Sequence, residues 1–307
     1  MRRDDRCRAR RVGNGQQGGY PEVMNAPPFR LLGPVVPRTP VVIAVPHAGR
    51  DYPEALARAA RVPVERLVGL EDRHVDRLLD DALADGATAI VATVARAWID
   101  LNRDPREVDP TMIDPMPAMT TVRDGPRVRA GLGLVPRRLS GVGEIWHGRI
   151  AAEDLAARIA TVHRPYHAAI ADALAAARMA HGVAILLDLH SMPPLSGADR
   201  GINVVVGDLA GTSAAPGIIA AAMRAAQVAG YRAARNRPYA GGYGVAHHGR
   251  PRTGIHAVQL ELCRTLYLDA AQRAPGPGLT ALARFVADVR AALPRDPTIV
   301  ATAHAAE

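Results

Sequence analysis

Residues Val183–Ser191 read VAILLDLHS: five apolar residues in succession, then Asp188, His190 and Ser191 within four positions. A run of this kind suits a strand buried on both faces, as in a parallel sheet covered by helices. In open α/β sheets, chemistry gathers at the carboxyl ends of such strands. Asp188 and His190 are two apart, so on an extended chain they face the same side. The carboxylate could orient the imidazole, or each could bind something in a cleft. The plainer reading is a hydrogen-bonded histidine at a strand end.

The same design occurs earlier. Val41–Val45 (VVIAV) runs directly into Pro46-His47-Ala48-Gly49, where small residues permit a tight turn. Further strands are expected at Thr88–Val94, Ala97–Leu101, Asn203–Val206 and His256–Leu262. Helical periodicity covers Pro53–Ala60, Leu70–Ala84, Ala214–Ala229 and Leu279–Leu293. It also covers Glu144–Met179, with a break near Pro165. Asn236–Gly254, rich in Gly, Pro, Arg and His, reads as a loop. Strands alternating with helices predict an α/β fold, a three-layer sandwich around a mixed, mostly parallel sheet. Residues 31–294 are expected to form one domain, with residues 1–30 and 295–307 as loose tails and Met24 as a possible true start. Residues 110–143 are rich in Pro, Gly and Met without periodicity, which implies a functional lid or a poorly ordered insertion.

Composition narrows the function classes. The net charge is +8, and all 38 basic residues are arginines. They are scattered rather than clustered, and aromatics make up 4% of the chain, which argues against a nucleic-acid binder. Cys7 and Cys263 are too few and too far apart for a disulfide framework, so a reducing cytoplasm is expected. No apolar run approaches the ~18 residues of a membrane span, and the Arg-rich start lacks the apolar core of a secretory signal. A small-molecule partner is the remaining expectation.

His47 and His190 both follow buried strands, and an acidic helix start with Glu71, Asp72 and Asp76 lies between them in sequence. Any one of those acids could simply complement a helix dipole. Two imidazoles and one carboxylate also make the usual protein shell of a catalytic zinc, with the fourth position open. Zinc lowers the pKa of bound water toward ~7. A carboxylate outside the shell must then take and return a proton, and Glu261 could serve.

Six blocks in fixed order go further. They are AVPHAG (Ala44–Gly49), EDRHVDRL (Glu71–Leu78), IDLNRDP (Ile99–Pro105), LLDLHS (Leu186–Ser191), YAGGY (Tyr239–Tyr243) and HGRPRTGIHAVQLEL (His248–Leu262). Together they resemble the N-formylglutamate amidohydrolase family, over about Pro34 to Asp288. The resemblance implies a phosphorylase/hydrolase-like fold related to zinc carboxypeptidases and aspartoacylase. It also implies one zinc ion and removal of formate from N-formyl-L-glutamate in histidine breakdown. A related N-acyl amino acid deacylase or a carboxypeptidase-like metallopeptidase would use similar chemistry. The rival from another class is a binding protein that keeps the fold alone.

Carried over by position, the resemblance makes His47 and His190 metal ligands. The zinc-peptidase relatives place a glutamate three residues after the first histidine, where Arg50 stands here. The third ligand is therefore expected from the EDRHVD block, as Asp72 in preference to Asp76, which could instead support a ligand histidine. Glu261 takes the general-base position, with His256 next in line. Asn102 and Arg103 stand where relatives bind a substrate carboxylate, a group that a guanidinium fork matches. Otherwise Arg103 would form a salt bridge to Asp100 or Asp104. The family places an arginine between GGY and HG, near His247 here. His247, or Arg250 or Arg252 in its stead, is thus the expected partner of a second carboxylate.

Overall fold

The computed structural model describes residues 27–118 and 121–295. Residues 1–26, 119–120 and 296–307, including Met24, lie outside the described residues. Phe29–Leu32 forms an edge strand, β1.

The central sheet also contains β2 (Val41–Val45), β3 (Thr88–Ala92), β4 (Ala184–Met192), β5 (Val204–Gly207), β6 (Ala233–Arg235) and β7 (Ile255–Cys263). Its order is β1-β3-β2-β4-β7-β5-β6. β3, β2, β4 and β7 are parallel neighbours. β1 runs antiparallel to β3, and β5 antiparallel to β7 with β6 parallel to it. The sheet is therefore mixed around a parallel centre. Every residue of β2, β3 and β4 is buried; the apolar runs VVIAV of β2 and AILL at the start of β4 suit strands covered on both faces.

Helices cover both faces. Val41, Ile43, Ile185, Leu187, Val258 and Leu260 pack against α5 (Pro216–Val228) and α7 (Leu279–Ala292). Val42, Ala44, Ala184, Leu186 and Ala257 pack against α4 (Arg164–His181). Side chains alternate along a strand, so Asp188 and His190 take the side of Leu186, and Gln259 and Glu261 the side of Ala257. In register, Asp188 pairs with Gln259 and His190 with Glu261. Four polar side chains thus share one face at the carboxyl ends of two central strands.

Local structure departs from periodicity where the site is built. Leu70–Ala84 is not one helix. It contains a 3₁₀ turn at Val75–Leu79 and a single α-helical turn, α2 (Asp80–Ala84). The Asp72 N–H donates to the His47 carbonyl at 2.9 Å, and His74 is left-handed at φ 61°; both interrupt the helix. Ala97–Leu101 is a chain of turns, with the Asp100 N–H donating to Leu134 O at 2.7 Å. Glu144–Ala151 is not helical. From Ala152 the chain runs through α3 (Ala152–Arg158) into α4, and the two α-helices meet at a π turn, Ile159–His163, where the interruption was expected. Pro165 offers no N–H to Thr161, and the wider turn absorbs that loss. The expected loop Asn236–Gly254 contains a short helix, α6 (Tyr243–His248). α1 (Glu54–Ala59) and α7 lie where expected.

Residues 110–118 and 121–143 have little regular structure, but they are docked. Met112, Ile113, Val128, Leu134 and Val135 are buried in the same apolar cluster as α4. After His47 the chain runs hard against β3: a Cβ on Gly49 would sit 2.0 Å from Val94 O, so only glycine fits there.

Candidate active site and metal centre

The exits of β2, β4 and β7 open into a cavity of about 760 Å³, a size suited to a small ligand. His47 stands two residues beyond β2, while His190 and Glu261 lie within β4 and β7. Asp72 is held against His47 by the backbone hydrogen bond described above. His47, Asp72, His190 and Glu261 all line the cavity and are at most 8% exposed.

Three ligand atoms converge. His47 Nδ1 and His190 Nδ1 are 3.2 Å apart. Asp72 Oδ2 lies 3.1 Å from His190 Nδ1 and 3.4 Å from His47 Nδ1. Zinc–nitrogen bonds of ~2.0–2.1 Å in a tetrahedron put ligands ~3.3 Å apart, so the triangle has the size of one tetrahedral face. Among the described residues this is the group able to hold a metal ion.

The far side of each ring is also fixed. His47 Nε2 is 2.7 Å from Asp100 Oδ1, which pairs on its other oxygen with Arg96 at 2.9 Å. His190 Nε2 lies 3.2 Å from Asp188 Oδ2 and 3.2 Å from Asn102 Nδ2. A carboxylate behind a ligand histidine fixes the ring orientation and raises its basicity. Burial works against a charged imidazole at His190, yet Asp188, Asp72 and Glu261 outweigh it and hold its pKa well above the ordinary value. Asp72 and Asp100 are likewise buried, yet their cationic and imidazole neighbours keep both well below the usual carboxylate range. The protein groups alone favour positive charge at the triangle, and a divalent cation meets that demand. The donor set fits a metal.

Glu261 differs from the other acids. Burial pushes its pKa up to about 7, helped by Asp72 and Asp188 and opposed by His190 and Arg96. Its Oε1 accepts from Gln259 Nε2 at 2.8 Å.

The remaining expected residues divide into two groups. Asn102 and Arg103 line the cavity. The Asn102 amide is engaged, accepting from Gly244 N–H at 2.8 Å and donating to Gln259 Oε1 at 3.3 Å. Arg103 donates to Leu132 O and Asn102 O, each at 2.8 Å, and lies 3.8 Å from Asp100. By contrast, His247, Arg250, Arg252 and His256 are not brought to the cavity. His247 stacks on Tyr243, because α6 turns it toward a histidine cluster. Arg250 caps the carbonyls of Ala246 and Gly249. His256 is buried and accepts from Ala215 N–H, on the face of β7 opposite Glu261. Asp76 pairs with Arg50 at 2.6 Å and 3.1 Å, away from the triangle.

Sequence reasoning passed over Asp100, Gln259, Arg96, Arg264 and Arg127. Gln259 shares the strand face of Glu261, a signal that period-two alternation carries. Arg264 follows β7 directly and donates to Asp72 Oδ1 at 3.2 Å and Glu71 O at 2.7 Å. Arg127 comes from residues 110–143, where no periodicity points anywhere.

The sequence profile of the N-formylglutamate amidohydrolase family matches residues 39–268. The chain belongs to that family. It is accordingly an amidohydrolase. The N-formylglutamate deformylase of Pseudomonas aeruginosa is 33% identical over 239 residues, covering 76% of this chain and 83% of that protein. That of Pseudomonas putida is 31% identical over 241 residues, with the same coverage. The crystal structure of N-formylglutamate amidohydrolase from Ralstonia eutropha JMP134 superposes with a TM-score of 0.79 at 31% identity, covering 91% of this chain and 98% of that one. The fold, a mixed α/β architecture around a seven-stranded sheet, is thus shared within the family. Among the described residues no helix is long and apolar enough to cross a membrane.

Proposed function

We propose that this amidohydrolase cleaves the formamide bond of N-formyl-L-glutamate to formate and L-glutamate, a step of histidine breakdown in the cytoplasm. It would do so with one zinc ion held by His47, Asp72 and His190. The observation that carries this reading is the Nδ1–Nδ1–Oδ2 triangle beside Glu261 in an arginine-lined cavity. The deformylases of the two pseudomonads lend it the substrate.

Bound at the triangle, zinc supplies Lewis acidity toward the formyl oxygen and lowers the pKa of water. The other tasks fall to the chain. Asp100 and Asp188 hold the two imidazoles in place. Glu261, with its pKa raised to about 7, takes a proton from the attacking water at neutral pH and delivers it to the departing amine. Gln259 keeps that carboxylate turned into the cavity, and Arg103 presents a cation to the substrate.

Purified protein is expected to carry about one zinc per chain, the stoichiometry of a three-ligand catalytic site, and to release formate from N-formylglutamate. His47→Ala and His190→Ala should each strip the metal and the activity. Active protein free of transition metal, with turnover insensitive to chelators, would refute the reading.

A further inference from the structure

Five arginines line the cavity: Arg96, Arg103, Arg127, Arg138 and Arg264. Three of them are already neutralised by carboxylates. Arg96 pairs with Asp100 at 2.9 Å, Arg264 with Asp72 at 3.2 Å, and Arg138 with Glu144 at 3.1 Å. Arg103 and Arg127 are different. Arg103 spends two donors on carbonyls and approaches Asp100 only to 3.8 Å. The Arg127 side chain donates to one carbonyl, Gly241 O at 3.1 Å, and meets no carboxylate among the described residues. Burial lowers the Arg103 pKa, Asp100 opposes this, and the charges of Arg96 and Arg127 lower it further. The two under-neutralised guanidinium groups therefore feel each other across the cavity. Like charges left together in this way favour an anionic ligand.

The placement of the two separates their roles. Arg103 follows Asn102, and its neighbour Asp100 bonds His47, so it lies next to the triangle's own support. In an N-formyl amino acid the α-carboxylate is attached to the carbon that bears the scissile amide, so it stays near the reacting bond. A side-chain carboxylate reaches further out. Arg127 belongs to the short helix Pro126–Arg129, apart from the strands that carry His190 and Glu261, and it donates to Gly241 O.

We propose that Arg127 grips the side-chain carboxylate of the substrate and sets the preference for an acidic N-formyl amino acid, while Arg103 takes the α-carboxylate. This rests on the reading of N-formylglutamate as substrate. It also gives residues 110–143 a task, since they bring the selecting cation to a cavity whose chemistry lies elsewhere.

The test compares N-formyl-L-glutamate with N-formyl-L-glutamine, which has the same shape without the charge, in the zinc-loaded protein and its Arg127→Ala, Arg127→Lys and Arg127→Glu variants. Losing one charged hydrogen-bonding partner should raise KM for formylglutamate by roughly 10- to 100-fold and leave formylglutamine almost unchanged. Arg127→Lys should recover part of the loss, and Arg127→Glu should favour N-formyl-L-ornithine. Binding of the product L-glutamate, measured by calorimetry, should weaken in parallel, whereas L-glutamine binding should not. Arg129→Ala, which breaks an exposed pair with Asp124, is the control and should match the parent. If the parent prefers formylglutamate and Arg127→Ala keeps the same preference, the assignment of Arg127 is wrong and the substrate reading stands. If the parent shows no preference for the acidic side chain, both fail.

Discussion

The proposed chemistry turns on Glu261. Burial raises its pKa to about 7, whereas at Asp72 and Asp100 the same effect of burial is outweighed by cations and imidazoles. A carboxylate poised near neutrality can accept and return a proton within one turnover. Glu261→Gln keeps the shape and the bond to Gln259 but removes the basic oxygen. It should retain metal, and lower kcat by about two to four orders of magnitude with little change in KM. Near-normal turnover would pass the role to another group. His256 would not inherit it, since it stands on the opposite face of β7. The placement of His47, His190 and Glu261 in one cavity was legible because each lies at or just beyond the carboxyl end of a strand, where a sheet offers its side chains. Asp72 was legible as a residue type, but not in its conformation. What brings it to the triangle is a backbone hydrogen bond to His47, and no sequence pattern announces that bond. Asp100 was hidden for a related reason: it lies in turns that read as a strand.

The same contrast holds for whole elements. β2 is an unbroken apolar run, β4 opens with one and β7 carries Val258, Leu260 and Leu262 at alternate positions, so tertiary context had little freedom to override them. Leu70–Ala84 has helical periodicity, yet the site needs Asp72 beside His47, and the helix gives way. Repeated glycines in the YAGGY block signalled a loop without saying what it packs against. The structure supplies the partner. A Cβ on Gly244 would lie 2.6 Å from Asp188 Oδ2, and one on Gly242 would lie 2.3 Å from the Asn102 amide. The loop and α6 therefore rest directly on the groups behind His190. Neither neighbour is the loose end of a flexible chain, because both are buried and Asn102 bonds on three sides. Gly244→Ala should thus displace Asp188 from His190 and weaken metal affinity by ~10- to 100-fold, the usual effect of losing a partner behind a ligand. Metal titration checks this, and unchanged affinity would show that the loop can retreat without disturbing the site.

At the scale of the molecule, stability is tied to a histidine cluster next to the site, in which His163, His167 and His248 are buried and His247 lies at the surface. His163, His167, His247 and His248 pack ring against ring with Tyr243. His163 Nε2 donates to Arg103 O at 2.9 Å and His167 Nε2 to Leu101 O at 2.8 Å, so the cluster clamps the backbone that carries Asn102 and Arg103. Burial depresses the pKa of all four; His248 falls to about 3, and His167 lies well below its ordinary value. A depressed histidine stays neutral in the folded state while the unfolded chain takes up protons below ~6.5. The unfolded state then binds more protons, and stability falls as pH drops through that value. Glu261 and His190 have raised pKa values and work the other way: the contribution of Glu261 fades as pH rises through about 7, and that of His190 fades above the ordinary histidine range. The metal-free protein should therefore be most stable near neutrality and lose melting temperature steeply between pH 6.5 and 4.5. Replacing His167 and His248 together with Gln and Leu should flatten that acid limb, even if stability at pH 7 is lower. Melting curves of both proteins across this range decide the matter. If the acid limb between pH 6.5 and 4.5 keeps its slope in the double variant, His167 and His248 are not its source; the paired carboxylates Asp72 and Asp100 are held too low to contribute there, and their own limb lies below pH 4.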